Sequence, residues 1–173
     1  MSNFKELLPK INTFIFDIDG VLTNGMVMIM PDGDQLRQMN IKDGYALQYA
    51  VKKGYNIAII SGGSSETVRK RLNGLGITDV FLKASNKIEI FDNYVNGKNI
   101  SKENILYMGD DIPDYPVMQK SGVATCPKNA AIEIKNISHY ISDKNGGEGC
   151  VRDIIEQVLR CQGNWFDKDA HTW

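Results

Sequence analysis

Short, almost unbroken apolar runs alternate along this chain with longer stretches in which apolar residues recur every three or four positions. Thr13–Phe16, Tyr55–Ile60 and Ile105–Met108 are the strong runs and read as strands; Val123–Cys126 and His139–Ile141 are weaker ones. Each strong run stops abruptly, at Asp17, at Ser61-Gly62-Gly63 and at Gly109-Asp110-Asp111. Continuous apolar strands are what a parallel sheet covered on both faces demands. Gly44–Lys53, Ser65–Leu75, Lys87–Tyr94 and Gly149–Arg160 carry helical spacing, with Ser64 or Ser65 available as a cap for the second. Asp114–Lys120 and Ala130–Lys135 are shorter helical stretches. The alternation predicts an α/β fold, a Rossmann-like parallel sheet with helices on both faces.

One segment breaks the pattern. Met26–Met30 is apolar throughout, Pro31-Asp32-Gly33-Asp34 is turn-like, and Gln35–Ile41 returns. This predicts a protruding β-hairpin over about residues 26–41, after the first strand. Both faces of such a hairpin cannot be buried in a small sheet, so one is expected against another subunit. An ordinary hairpin folded onto its own domain is the alternative. Residues 162–173 read as a polar tail, yet carry Trp165, Phe166 and Trp173, which a frayed end has little use for.

Composition narrows the function. The 173 residues suit a single domain, and no repeat or linker divides them. With 20 basic and 21 acidic residues the chain lacks the basic excess of a nucleic-acid or anionic-membrane binder. No apolar run approaches the roughly 18–20 residues of a membrane span. Met1–Glu6 lacks a secretory layout. Cys126, Cys150 and Cys161 have no metal-site spacing, and reduced thiols in a cytoplasmic protein are expected.

The chemistry gathers at the strand exits. Asp17 and Asp19 leave the first strand ahead of Gly20 and Thr23, where sheets of this kind bind ligands. Carboxylates at an apolar strand exit are costly without a compensating charge. Asp110, Asp111 and Asp114 recur at another exit. Two such clusters could converge on one hard cation such as Mg²⁺, with solvated acidic loops as the alternative. Ser61-Gly62-Gly63 and Lys87 offer a hydroxyl, closely approachable backbone amides and a cation, the parts of a phosphate cradle. Alone, each is also an ordinary turn or a surface lysine.

The order is what is specific. Asp-x-Asp-Gly-x-x-Thr, then Ser61, then Lys87, then Gly-Asp-Asp-x-x-Asp resembles the haloacid dehalogenase superfamily across most of the chain. That resemblance implies Asp17 as the nucleophile that forms an aspartyl-phosphate, and Asp19 as general acid and then base. It implies Mg²⁺ held by Asp17, the Asp19 backbone carbonyl and Asp110. It places Ser61, Gly62 and Lys87 on the phosphoryl oxygens. Asp114, with Asp111, would anchor the metal's waters or orient Lys87. The intervals between motifs are filled by the hairpin, helices and strands already counted, so no cap domain is expected.

The hairpin, Asn40–Tyr45 and Gly146–Arg152 are similar to one capless family, the 3-deoxy-D-manno-octulosonate 8-phosphate phosphatases. This implies a cytoplasmic homotetramer acting on a small sugar-acid phosphate in lipopolysaccharide precursor synthesis. Its sister group, acting on 2-keto-3-deoxynononate 9-phosphate, tends to carry Glu where this chain has Gly63 and to lack the tail. The tail from Gln162-Gly163 resembles the family's C-terminal extension, which gives Trp165 and Phe166 a lid role as an alternative to fraying. The substrate carboxylate calls for a cation. Arg71 is the preferred candidate over Arg69, with surface charge as the alternative, and Thr23 and Gly63 complete the expected substrate contacts. Arg152 reads as a loop anchor. A non-catalytic oligomerisation module is disfavoured because every chemical position is filled. His139 and His171 receive no role.

Overall fold

A computed structural model describes residues 3–172. A short helix α1 (Phe4–Leu7), which the periodicity did not announce, leads into β1 (Thr13–Phe16). A two-stranded hairpin follows, β2 (Met28–Ile29) with β3 (Gln35–Leu36), then α2 (Ile41–Lys52) and β4 (Asn56–Ile60). The chain continues through α3 (Glu66–Asn73), β5 (Asp79–Phe81), α4 (Lys87–Gly97), β6 (Ile105–Met108), α5 (Tyr115–Lys120), β7 (Val123–Cys126), α6 (Ile132–Ile137), β8 (Tyr140–Ile141) and α7 (Cys150–Cys161).

Six strands form one parallel sheet in the order β5-β4-β1-β6-β7-β8. Strand alternation sorts the core. Phe14, Phe16, Ile57, Ile59, Leu106 and Met108 pack with Leu47, Leu72, Ile154 and Val158 of α2, α3 and α7. Ile15, Ala58, Ile60, Ile105 and Tyr107 pack with Phe91, Val117 and Ile134 of α4, α5 and α6. Both faces are covered, so β1, β4 (after Asn56) and β6 are buried at every position, as the apolar runs required. Among the described residues no cap domain and no helix long and apolar enough to cross a membrane are present.

The hairpin is shorter than its sequence pattern. Strand pairing is limited to Met28 with Leu36 and Ile29 with Gln35. The return arm ends before Asn40, whose side chain accepts from the Lys42 amide at 2.8 Å and starts α2 at Ile41. The expected boundaries are corrected by this cap, which takes Ile41 into the helix. Met26, Met28, Ile29 and Leu36 are exposed on the hairpin. The tail does not fray through Thr172 either, and Trp173 lies outside the described residues. Trp165 meets Tyr49 edge-on at 5.3 Å and Tyr45 at 6.3 Å, between the guanidinium groups of Arg152 and Arg160. Beyond it, Lys53 pairs with Asp167 and Asp169, and Tyr45 donates to the Ala170 carbonyl. Cys126, Cys150 and Cys161 are free thiols.

Candidate active site

The register brings three strand exits into one row. Phe16 stands opposite Ile59 on one side and Met108 on the other, so Asp17, Ser61 and Asp110 emerge side by side at the C-terminal edge. The strands after β1 lie on opposite sides of it, which opens the crevice where such sheets bind ligands.

Asp17 is 7% exposed. Its Oδ1 accepts from the Ile18 amide at 2.6 Å, and its Oδ2 lies 2.8 Å from Lys87 Nζ. Lys87, the first residue of α4, also meets Asp114 Oδ1 at 2.7 Å. The rest of Asp114 is spoken for: Tyr107 OH donates to Oδ1 at 2.6 Å, and the Asp110 and Asp111 amides donate to Oδ2 at 3.2 and 3.5 Å. Asp114 sits in the tight turn Ile112–Asp114, capped by Asp111. Four donors on one buried carboxylate satisfy it, so Asp114 is a holder of Lys87 rather than a free ligand.

Asp110 is different. Its Oδ1 is buried with no hydrogen-bond partner. Its carboxyl is pressed against the Cα of Gly20, where any side chain would collide with it. Gly20 has φ +87°, which suits glycine twice over. Oxygens of Asp17, Asp110 and Asp114 lie within 4.8 Å of one another. With Asp114 saturated, Asp17 and Asp110 remain to hold a hard divalent cation, and the orphaned Asp110 oxygen fits that use.

The electrostatics agree. Burial, then the Asp114 charge, push the Asp17 carboxyl up to about 6, against the pull of Lys87. Burial, then Asp17, Asp114 and Asp111, push Asp110 up to about 7. Burial opposes the charge on Lys87, but Asp17 and Asp114 outweigh it and raise its pKa. A bound cation would favour both carboxylates in their ionised form.

Ser61 is buried, and its Oγ accepts from the Gly63 amide at 3.2 Å, which leaves its O–H free to donate. Gly62 and Gly63 follow on the same exit. A Cβ on Gly63 would stand 3.4 Å from Asp19 Oδ2, 3.5 Å from Arg37 Nη2 and 3.5 Å from Ser61 Oγ, so this position does face the site. The Asp19 carboxylate lies outside the Asp17–Asp110 group. It is held by Arg37, with Nε to Oδ1 at 2.7 Å and Nη2 to Oδ2 at 3.0 Å.

One expectation is corrected, and another is not met within this chain. Thr23 is fully buried. Its hydroxyl accepts from the Gly25 amide at 3.2 Å and donates to Asp19 at 3.4 Å, so it shapes the loop instead of meeting a substrate. Arg71 is exposed, and its guanidinium lies over Gly44 of α2 rather than among the carboxylates of this chain. Arg69 is spent on Glu66 and the Val80 carbonyl. Arg152 stacks over Tyr45 and Trp165, as a loop anchor should. His139 accepts the Ala124 amide at 3.0 Å, a structural use.

Sequence reasoning missed Arg37 and Tyr107. Arg37 had one signal, the lone cation within the return arm Gln35–Ile41. Tyr107 had another, a phenol inside a buried strand that needs a polar partner. The Gly146-Gly147 pair seals the loop from behind: Gly147 N donates to the Val21 carbonyl at 2.9 Å, and Gly146 lies flush on the Gly20 carbonyl.

Known proteins place this arrangement. Residues 72–154 match the haloacid dehalogenase-like hydrolase family model. The 3-deoxy-D-manno-octulosonate 8-phosphate phosphatase KdsC of Escherichia coli (strain K12) is 34% identical over 89% of this chain and 82% of its own length. A probable YrbI family phosphatase from Pseudomonas syringae superposes with a TM-score of 0.92 at 33% identity, covering 99% of this chain and 96% of that one. A Moraxella catarrhalis 3-deoxy-D-manno-octulosonate 8-phosphate phosphatase, solved with magnesium, phosphate and KDO, superposes with a TM-score of 0.91 at 29% identity over 95% of each chain. This chain therefore belongs to the haloacid dehalogenase-like hydrolases and, within them, to the 3-deoxy-D-manno-octulosonate 8-phosphate phosphatase family.

Proposed function

We infer that this protein is a Mg²⁺-dependent phosphatase that hydrolyses 3-deoxy-D-manno-octulosonate 8-phosphate to the free sugar acid and phosphate, for lipopolysaccharide precursor synthesis. The observation that carries the chemistry is the Asp17–Lys87–Asp114 bridge beside the unpartnered Asp110 oxygen. Asp17 attacks phosphorus and the P–O bond to the sugar breaks. Asp19 gives the leaving oxygen its proton, then takes one from the water that cleaves the aspartyl-phosphate. Lys87 balances charge on the phosphoryl oxygens, and Ser61, through its free O–H, and the Gly62 amide bind them. Asp17 and Asp110 would hold Mg²⁺, with the Asp19 carbonyl as third protein ligand; when bound, the ion offsets the charge of nucleophile and phosphoryl group.

The eight-carbon acid is favoured by the family's named members and by Gly63, where a longer acidic side chain would enter the space between Asp19 and Arg37. The exposed apolar hairpin supports association of subunits, and the resemblance to the family extends this reading to a homotetramer acting in the cytoplasm. The test is kcat/KM for the eight- and nine-carbon 2-keto-3-deoxy phosphates side by side with Mg²⁺, using Asp17→Asn as the inactive control. A preference for the eight-carbon acid is expected. A preference for the nine-carbon acid keeps the mechanism and overturns the substrate.

A further inference from the structure

Arg37 stands out among the cations near the site. Its side chain is 7% exposed, against 35% for Asp19. Two of its N–H groups hold both oxygens of Asp19, and others reach the Gln35 carbonyl at 3.1 Å and Gln35 Oε1 at 3.3 Å. In this arrangement both oxygens of Asp19, the residue that must exchange a proton with the leaving oxygen, accept from Arg37, and Oδ1 accepts from Thr23 at 3.4 Å as well. A group that competes for the guanidinium would loosen this hold on Asp19.

The surroundings indicate what. A cavity of about 380 Å³ opens beside Arg37, between the return arm of the hairpin and the start of α3, with Gln35, Ser64, Ser65 and Thr67 among its walls. It shares Arg37 and Ser65 with a recess lined by Asp19, Ser61 and Gly63. One carboxylate of the cavity wall, Glu66, is already paired with Arg69 at 3.0 Å. Hydroxyl and amide groups suit a polyol, and Arg37 is the guanidinium at the junction between this cavity and the reacting groups. A planar guanidinium exchanges one bidentate carboxylate for another with little loss. The bare Gly63 leaves the space for that exchange.

We propose that Arg37 is a specificity-determining residue: it holds Asp19 until the carboxylate of a sugar-acid substrate takes its place on the guanidinium, so that acid recognition frees Asp19 for proton transfer. The assignment rests on the phosphatase reading above and deepens it. A phosphate ester without a carboxylate binds at Asp17, Ser61 and Lys87 but leaves the Arg37–Asp19 pair closed.

The test compares two substrates of the wild type, Arg37→Gln and Arg37→Lys with Mg²⁺: the eight-carbon sugar-acid phosphate, and a neutral aryl phosphate. In Arg37→Gln, kcat/KM for the acid falls by about 30-fold or more, mainly through KM, while that for the aryl ester rises a few-fold because Asp19 is no longer held. Arg37→Lys keeps part of the preference. As a second readout, the free sugar acid inhibits Arg37→Gln more weakly than wild type, whereas inorganic phosphate inhibits both equally. If an active wild type and a folded Arg37→Gln lose both substrates in parallel, Arg37 merely positions Asp19 and the assignment is overturned. If the wild type hydrolyses neither ester, the phosphatase reading falls and takes the assignment with it.

Discussion

Asp114 grips Lys87: its Oδ1 lies 2.7 Å from the ammonium nitrogen, with the two side chains 1% and 6% exposed. Lys87 is thereby held over Asp17 by a carboxylate that does no chemistry of its own. Asp114→Asn keeps the shape but removes the charge. We expect kcat to fall by about 100-fold or more, with KM for the sugar phosphate less affected. Steady-state kinetics on a variant shown to be folded checks this. A loss under about threefold would mean that Asp17 alone positions Lys87.

Asp110 gives a metal prediction. Without a cation, burial first, and then the charges of Asp17, Asp114 and Asp111, push its carboxyl up to about 7. Asp110→Asn should raise the melting temperature of metal-free protein at pH 8 by a few degrees, since it relieves that repulsion. It should also abolish the stabilisation that Mg²⁺ gives the wild type. Thermal melts with chelator and with millimolar Mg²⁺ read both effects. An unchanged Mg²⁺ response would remove Asp110 from the metal site.

Asp43 gives a pH prediction away from the metal. It is 1% exposed, lies on α2 and accepts the Arg152 amide at 2.7 Å, so it caps α7 from a neighbouring helix. Gly149, at the start of α7, has no side chain to do this. Burial pushes Asp43 from 3.8 up to about 6. The folded state then holds the proton more tightly than the unfolded chain. Stability from this group is fully present below about pH 4 and is lost as the pH rises through about 6, by up to about 3 kcal/mol. Asp43→Asn, which can still accept the amide, should lack this slope. Urea unfolding of both proteins at several pH values between 4 and 7 measures the difference, and parallel curves would rule Asp43 out.

The tail is bound to the outer side of α2 and α7, not to the Asp17 crevice. Trp165→Ala should cost about 1–3 kcal/mol of stability, from the lost packing on Tyr45, Tyr49 and Arg152. Its kcat/KM should stay within about threefold of wild type. A large kinetic loss with unchanged stability would instead assign Trp165 to a site, on this subunit or another.

Exposed Met28 and Ile29 predict association. Met28→Glu with Ile29→Asp should yield a smaller species by light scattering, without loss of secondary structure. An unchanged mass would move the interface elsewhere.

The sheet and the carboxylates gathered at its strand exits were legible in the sequence because each depends on local order. A buried parallel strand needs a continuous apolar run, and Asp17, Ser61 and Asp110 follow such runs directly. What was not legible depends on side chains far apart in sequence. Arg37 reaches Asp19 only because the hairpin doubles back, and β3 is just two residues long. Asp114 reads as an anchor of the metal's waters or as the residue that orients Lys87, and the choice between them falls only when its four donors are counted, one of them Tyr107 from inside a strand. The seat of Trp165 depends on which way Tyr45 and Tyr49 face on α2. The expected boundary at Ile41 failed because an apolar residue extends a strand pattern as readily as it opens a capped helix.

The backbone contact between Gly146 and Gly20 has a consequence for how the molecule comes into being. The loop that follows Asp17 is made early in synthesis, but the glycine pair that closes over its back is made late. Until that pair emerges, Gly147 cannot bond the Val21 carbonyl, and the loop bearing Asp19 lacks one of its walls. A chain that ends before this pair lacks α7 as well, the cover of one sheet face, so competence arrives near the end of folding rather than with the first strand. In the full-length chain, Gly146→Ala, which pushes this wall off the Gly20 carbonyl, should leave the Ile18–Thr23 amides open to hydrogen exchange while those of β1 and β6 stay protected.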